Sequence, residues 1–504
     1  MSFRPNQSQQ ISFRDTFWGL TDREKKALDH SWAKVFAEEI FPNINEEPFR
    51  VLYSEKASRP NTPVNVIVGA LIIKELFGIS DDEMVENLML DFRYQYALHT
   101  TSFEEQPLSD KSLSRFRIRC YNYETTHGVD LYHECIENFS GAIARLMKID
   151  GRVRRMDSTM IEANIRKLSR MELLYTCIAK LVKYLDKAGA SFNRERFGHY
   201  LEPDDYNKVI YHSRNEDADK RMLTLLSDAD ELTELCNGGY DDVIEYQLFS
   251  RCMSEQTVVD GNSRRLRTRE DGSMDSNIMQ NPADPDATFR SKAGKEHRGY
   301  VSNLEESVGS DGSVITGYQF EKNNVSDSAM LRKYLENIEL VPTDLAGRET
   351  APIMAGFKFN EDYTKVIECP AGHAPRSCSY NKNTEQCHVS FDRNYCVNSP
   401  FQKQCKPKIF KRVAKKTVSR KSVARAEYIK SKDTERFKLI TRLRNGIKTV
   451  PSVLKNRYDA NHMPARGIQR CKFFFGSKIG ALNFRKLFRF RNGTGNYAQN
   501  PILA

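Results

Sequence analysis

The chain has 504 residues, 39% of them hydrophobic, and a formal net charge of +10. That length exceeds what one hydrophobic core usually serves, so roughly two to four domains are expected. No apolar run of about 18 residues occurs, and the start MSFRPNQSQQ lacks an apolar signal segment, which argues against membrane insertion and export and for a cytoplasmic protein. Eleven cysteines in that setting imply free thiols or a metal rather than disulfides.

Thr21 to Glu24 and Ser80 to Glu83 each read Ser/Thr-x-x-Glu before an apolar-periodic stretch, the capping box that satisfies orphan amides at a helix start. Between them, Pro60 and Pro63 precede Val64 to Phe77, a buried helix that Gly78 closes. A short helix over Ser112 to Arg119 and a longer one over Leu131 to Met147 complete an all-α region ending near residue 148. Arg115 and Arg119, four apart, share one helix face and Arg117 points elsewhere. This segment fits either a helix-turn-helix recognition helix or a helix that packs only on its own domain.

Within Ile149 to Asp157, after Asp150 and Gly151, the run Arg152 to Met156 predicts a short strand that delivers Asp157 at its end. Helical periodicity resumes over Ile161 to Lys187, Asp204 to Leu235 and Asp241 to Val258. Asp260 to Asn281, with its Asp271-Gly272 turn signal, reads as an exposed loop. Gly299 to Ser307 and Ser313 to Lys322 form the clearest β-hairpin. Ser326 caps a helix over Asp327 to Asn337, and Ile338 to Val341 predicts one more short strand. From Ile367 to Cys405 the pattern is irregular and cysteine-rich, a separate small unit. No Gly-rich phosphate loop of Walker or Rossmann type occurs, which argues against nucleotide-driven chemistry.

Charge divides the chain more sharply than its total. From Phe401 onward 27 Lys and Arg face four acids, Glu427, Asp433, Glu435 and Asp459, a net +23 that leaves −13 for the first 400 residues. Phe473, Phe474, Phe475, Ile479, Leu482, Phe484 and Leu487 are interleaved with these charges, so the segment reads as a folded basic module rather than a tail. Such a field attracts phosphates and gives a salt-dependent affinity indifferent to sequence. DNA is the expected polyanion, with Arg442, Arg444, Lys455, Arg457, Arg485, Lys486 and Arg489 among the phosphate contacts.

Several stretches in order carry a resemblance: Asp157-Ser-Thr-Met-Ile-Glu-Ala-Asn164, Asp284-Pro-Asp-Ala-Thr288, His297-Arg-Gly-Tyr300, Cys369-Pro-Ala-Gly-His373, Arg444-Asn-Gly446, Phe473-Phe-Phe-Gly476 and Ala481-Leu-Asn-Phe-Arg485. With them the chain resembles a bacterial insertion-sequence DDE transposase of the IS4/IS5 superfamily, closest to the IS1182 type, over nearly its whole length. The resemblance implies a ribonuclease H-like catalytic domain in which two Asp and one Glu hold two Mg²⁺ or Mn²⁺ ions. Such ions, about 3.5 to 4 Å apart, clamp the attacking and leaving oxygens of a displacement at phosphorus. Asp157 fits the first acid. The strand and helix that should carry the second are missing between Ser326 and Thr343, which leaves Asp344 as the nearest substitute. Lys448 occupies the place of the Glu, between Arg444 and Lys455, and a cation cannot ligate Mg²⁺. Cys369, His373, Cys378, Cys387, Cys396 and Cys405 offer zinc ligands or remain reduced thiols. Relatives carry Cys-x-x-Cys where this chain reads Cys396-Val-Asn-Ser399.

The expected fold is therefore α+β: a helical N-terminal domain at 1–148, a ribonuclease H-like α/β core with a helical insertion at 149–366, lacking one strand-helix unit, a Cys-rich insert at 367–405, and basic DNA-binding helices at 406–504. The expected partners are double-stranded DNA, the terminal inverted repeats of the element and a second copy of the chain, at the nucleoid. Two functions follow. One is a transposase that cuts and joins DNA with a divalent metal; the other is a catalytically inactive DNA-binding remnant. A ribosome- or RNA-binding protein fits the charge but not the Asp157 and hairpin matches.

Overall fold

The computed structural model describes residues 1–6, 15–56, 58–103, 106–211, 217–261, 263–272, 275–292, 294–332 and 350–493. The chain divides into two units, one made of Met1–Leu335 with Ile447–Ala504, the other of Glu336–Gly446.

The first unit begins with helices whose starts are set by capping. Thr21 and Glu24 exchange side-chain and backbone hydrogen bonds at the head of α1 (Asp22–Asp29). α2 (Val64–Phe77) is buried nearly all round and stops at Gly78, whose φ of +70° suits a residue without Cβ. Ser80 and Glu83 repeat the capping box at α3 (Asp81–Leu90). α4 (Asp110–His127) runs past Arg119, because Phe116 and Cys120 continue the buried stripe begun by Leu113. Arg117 faces inward, paired with Asp81 and lying over the Phe474 ring. α5 (Leu131–Leu146) ends one residue short of the expected helix.

β1 (Arg154–Glu162) starts later and runs further than its sequence signal, so Asp157 lies inside the strand, not at its end. Met160 and Ile161 are buried strand residues. The helix expected from Ile161 begins only at α6 (Arg170–Lys187), where Ser169 and Glu172 form another capping box. The expected helix from Asp204 is broken after Ile210 and resumes as α7 (Ala218–Cys236). α8 (Ile244–Gln256) completes a helical insertion with its own core of Leu174, Ile178, Leu181, Leu232 and Phe249. A hairpin of β2 (Thr257–Asp260) and β3 (Ser263–Leu266) replaces the end of the expected helix and the start of the stretch expected as loop.

The main sheet is antiparallel throughout and centred on β5. β4 (Thr288–Lys292) pairs with the start of β5 (Lys295–Val308), and β6 (Ser313–Lys322) with the remainder, which is the expected hairpin. β1 pairs with β5 from Glu162↔Gly299 to Arg154↔Ser307. Gly299 has φ +147°, and a Cβ there would strike the Ile161 carbonyl, which explains the glycine in His297-Arg-Gly-Tyr300. Ser326 caps α9 (Asp327–Arg332). The predicted strand Ile338 to Val341, and Asp344, lie outside the described residues.

The second unit holds two sheets. β7 (Lys358–Phe359) pairs with β8 (Val366–Glu368). β9 (Ser377–Asn381) and β10 (Gln386–Asp392) join β11 (Lys408–Ile409) and β12 (Val413–Ser419) in the order β11-β12-β10-β9. The cysteine-rich stretch thus contributes β9 and β10 to this sheet, and its expected limit at residue 405 falls inside the sheet, since Cys387 pairs with Val418 and Val389 with Lys416. Cys387, Val389 and Phe391 face a core shared with Met354, Phe357, Val366 and Val423, while His388 is exposed. That is period-two burial in which cysteine serves as an apolar residue. α10 (Arg420–Ser431) and α11 (Glu435–Asn445) follow.

The chain then returns to the first unit through α12 (Thr449–Arg457) and α13 (Ile468–Arg491). α13 fills the space against α2, α5 and β6: Phe475, Ile479, Leu482 and Leu487 join Ile72, Ile136, Phe139 and Ile315 in one core. Asn483 accepts from the Ile315 amide and donates to its carbonyl and to Ser140 Oγ, which ties the helix to β6. Lys478 pairs with Glu75 at 2.6 Å and Lys472 with Asp130 at 2.6 Å. The single basic module expected from Phe401 to Ala504 is therefore divided, because the aromatic residues of α13 belong to the core begun by α2. The chain is mixed α and β with a helical N-terminal region.

Candidate nucleic-acid site

Alternation along β1 puts Arg155, Asp157, Thr159 and Ile161 on one face, with Glu306, Leu304, Ser302 and Tyr300 opposite them on β5. Ile161, Leu304 and Tyr300 enter the core shared with α13. At the other end of this face Glu306 is fully buried. It accepts from Arg155 Nε at 2.6 Å, from Ser313 Oγ at 2.6 Å and from Lys486 Nζ. Burial alone would raise its carboxyl, but the charges and hydrogen bonds of Lys486 and Arg155 hold it at about 2.

Above this cluster lies a cavity of about 390 Å³. α12 lends Thr449, Ser452 and Asn456, spaced three and four apart and so on one helix face, together with Arg457. α13 lends Leu482, Arg485, Lys486 and Arg489 at the same spacing, and the sheet supplies Arg155, Glu306 and Ser313. Four residues expected to contact phosphate, Arg457, Arg485, Lys486 and Arg489, thus line one cavity. Lys486 is a correction: it is buried on Glu306 rather than displayed on a surface. Arg155, Glu306 and Ser313 were not singled out from sequence; the only signal is that 155 and 306 are cross-strand partners once the hairpin register is fixed.

The other expected residues are dispersed. Arg442 and Arg444 lie in the last turn of α11 in the second unit. Lys455 is half-buried on α12; burial pulls its ammonium below the ordinary lysine range, against the opposing charge of Glu162. Glu162 accepts from His297 Nδ1 at 2.6 Å and from the Arg298 amide at 3.3 Å. Asn164 donates to the Met463 carbonyl, Arg466 donates to that of Asn164, and Asp286 accepts from the Ile468 amide that opens α13. The Asp157 to Asn164 and Asp284 to Thr288 stretches thereby anchor the start of that helix. Lys448 is exposed at the end of a short turn, Gly446–Lys448.

In the second unit the six expected zinc ligands fall into two groups. Cys378 and Cys387 are neighbours on β9 and β10, and burial, then the Cys378 thiol, push Cys387 up to about 11. Cys369, Cys396 and Cys405 line a cavity of about 30 Å³ with His373, whose ring stacks on Tyr395 at 4.2 Å. Burial raises the Cys396 and Cys405 thiols. Among the described residues no group of three or more His, Cys, Asp or Glu side chains is placed to hold a metal ion. No helix among the described residues is long and apolar enough to cross a membrane.

Residues 22–119 match the family model described as Transposase domain (DUF772), and residues 368–488 match the one described as Transposase DDE domain. The first runs from α1 into α4; the second runs from β8 into α13 and includes Lys448, and Asp157 lies between the two. No curated protein and no solved structure matches the chain. A DDE transposase domain implies a divalent metal cofactor, and the described residues do not present its ligand cluster. Both matched domains are transposase domains, and together they support a DDE transposase.

Proposed function

We propose that this chain is an insertion-sequence transposase of the IS1182 type that binds double-stranded DNA at the ends of its element and is impaired in cutting it. DNA binding rests on one observation above others. Residues 401–446 carry sixteen Lys and Arg against three acids, and Lys403, Lys411, Arg412, Lys415 and Arg442 among them are exposed. Densely spaced exposed cations neutralise phosphates and displace counterions. The impairment rests on Lys448, an exposed cation at the position where the resemblance calls for the third carboxylate. The run of antiparallel strands β1-β5-β6, with α5 and α13 packed on β6, is consistent with a ribonuclease H-like core.

The test uses the purified chain, Mg²⁺ or Mn²⁺, and a labelled duplex carrying the element end. The expected result is a retarded complex with no cleavage product. Cleavage by the wild-type chain that Asp157→Ala abolishes would show an intact active site and remove the impairment.

A further inference from the structure

The cavity between α12, α13 and the β1–β5 edge has a composition that a general DNA-binding surface does not require. Its walls hold five cations, Arg155, Arg457, Arg485, Lys486 and Arg489, against one carboxylate, Glu306. Glu306 is fully buried and fixes Arg155 and Lys486 in place. Arg457 and Arg485 have no acid within ion-pair distance among the described residues. Thr449, Ser452 and Asn456 add hydrogen-bonding groups, and Val453 and Leu482 add an apolar wall. A concave site of this size, with a few convergent polar groups beside apolar ones, suits a nucleotide-sized ligand.

We propose that this cavity binds the phosphomonoester of a nucleotide, either the terminal phosphate of a DNA strand or a free mononucleotide. The charge selects the monoester over the diester, since a monoester near neutral pH carries about −1.5 to −2 and an internal phosphate only one charge. Guanidinium forks suit that geometry, because each presents paired N–H donors to phosphate oxygens. The Glu306 cluster keeps two of the cations positioned before the ligand arrives, which reduces the ordering needed on binding. Arg155 and Asp157 share a strand face two residues apart, about 7 Å along β1, so the bound phosphate lies beside the strand segment that carries Asp157. The DNA source rests on the function proposed above; the mononucleotide source does not.

The test measures equilibrium binding of the full chain to one duplex with 5′-phosphate, 3′-phosphate or hydroxyl ends, and to a nucleoside 5′-monophosphate. One phosphorylated form is expected to bind about tenfold tighter than the hydroxyl form, the worth of a charge-assisted contact. Arg457→Gln and Arg485→Gln, both at solvent-reachable positions, are expected to erase that preference, whatever affinity for the hydroxyl-ended duplex they also remove. Binding of the mononucleotide by wild type and not by Arg485→Gln, with no duplex bound, supports the cavity and defeats the DNA reading. Equal affinity for all three duplexes together with no binding of the mononucleotide overturns the proposal. So does a preference that survives both substitutions.

Discussion

Glu306 is a charge held away from water by two cations, and its loss leaves them stranded. Glu306→Gln is expected to lower unfolding free energy by about 3 to 5 kcal/mol in a denaturant titration, the usual result of breaking a buried pair from one side. The same group predicts an acid response. Its folded value, about 2, lies below the ordinary 4.5, so the unfolded chain binds the proton more readily. The stabilisation is therefore full above about pH 4.5 and is lost as pH falls through about 2; it amounts to about 3 kcal/mol. Denaturant midpoints of wild type and Glu306→Gln should converge across that window, and parallel curves would show that Glu306 is not the titrating group. Little of this was visible in the sequence, where Glu305-Glu306 beside a Gly-rich turn looks like two solvated carboxylates. Asp157 and Arg485 were visible because they sit in recognisable stretches, but what surrounds them depends on strand register and helix packing.

α13 is held by close approach as much as by apolar area. A Cβ at Gly476 would run into the Tyr318 hydroxyl, which is buried and has no hydrogen-bond partner among the described residues. Gly476→Ala is expected to destabilise by about 1 to 3 kcal/mol despite the better helix propensity of alanine. Tyr318→Phe should recover most of that loss, and a thermal-unfolding double-mutant cycle measures the coupling. Strictly additive effects would place the strain elsewhere. Elements with strong local chemistry were legible: the capped α1 and α3, the Gly-closed α2 and the β5–β6 hairpin. The start of α6 was not, because helical spacing continued backwards through residues that pair with β5. The strand character of β10 was hidden because its cysteine, Cys387, looks like a ligand when it packs as core.

Across the whole molecule, positive charge is concentrated in residues 401–446 and in the cavity walls, while the cations of buried α13 are partly neutralised by Glu75, Asp130 and Glu306. DNA affinity measured against salt should therefore fall steeply, by about a thousandfold between roughly 50 and 200 mM if about six phosphates are neutralised. A flat response would mean that the charge does not contact a polyanion. Substituting the exposed Lys411, Arg412 and Lys415 together should reduce the slope by up to about three phosphates, with little change in stability.

α13 also imposes an order on biosynthesis. Domains generally fold as they leave the ribosome, N-terminal part first. Here the apolar faces of α2 and α5 are completed by a helix from Ile468 to Arg491, so the first unit cannot close until translation has passed that helix. A message cut short before that point yields a product with an unfilled core, which couples the appearance of a folded protein to an intact reading frame.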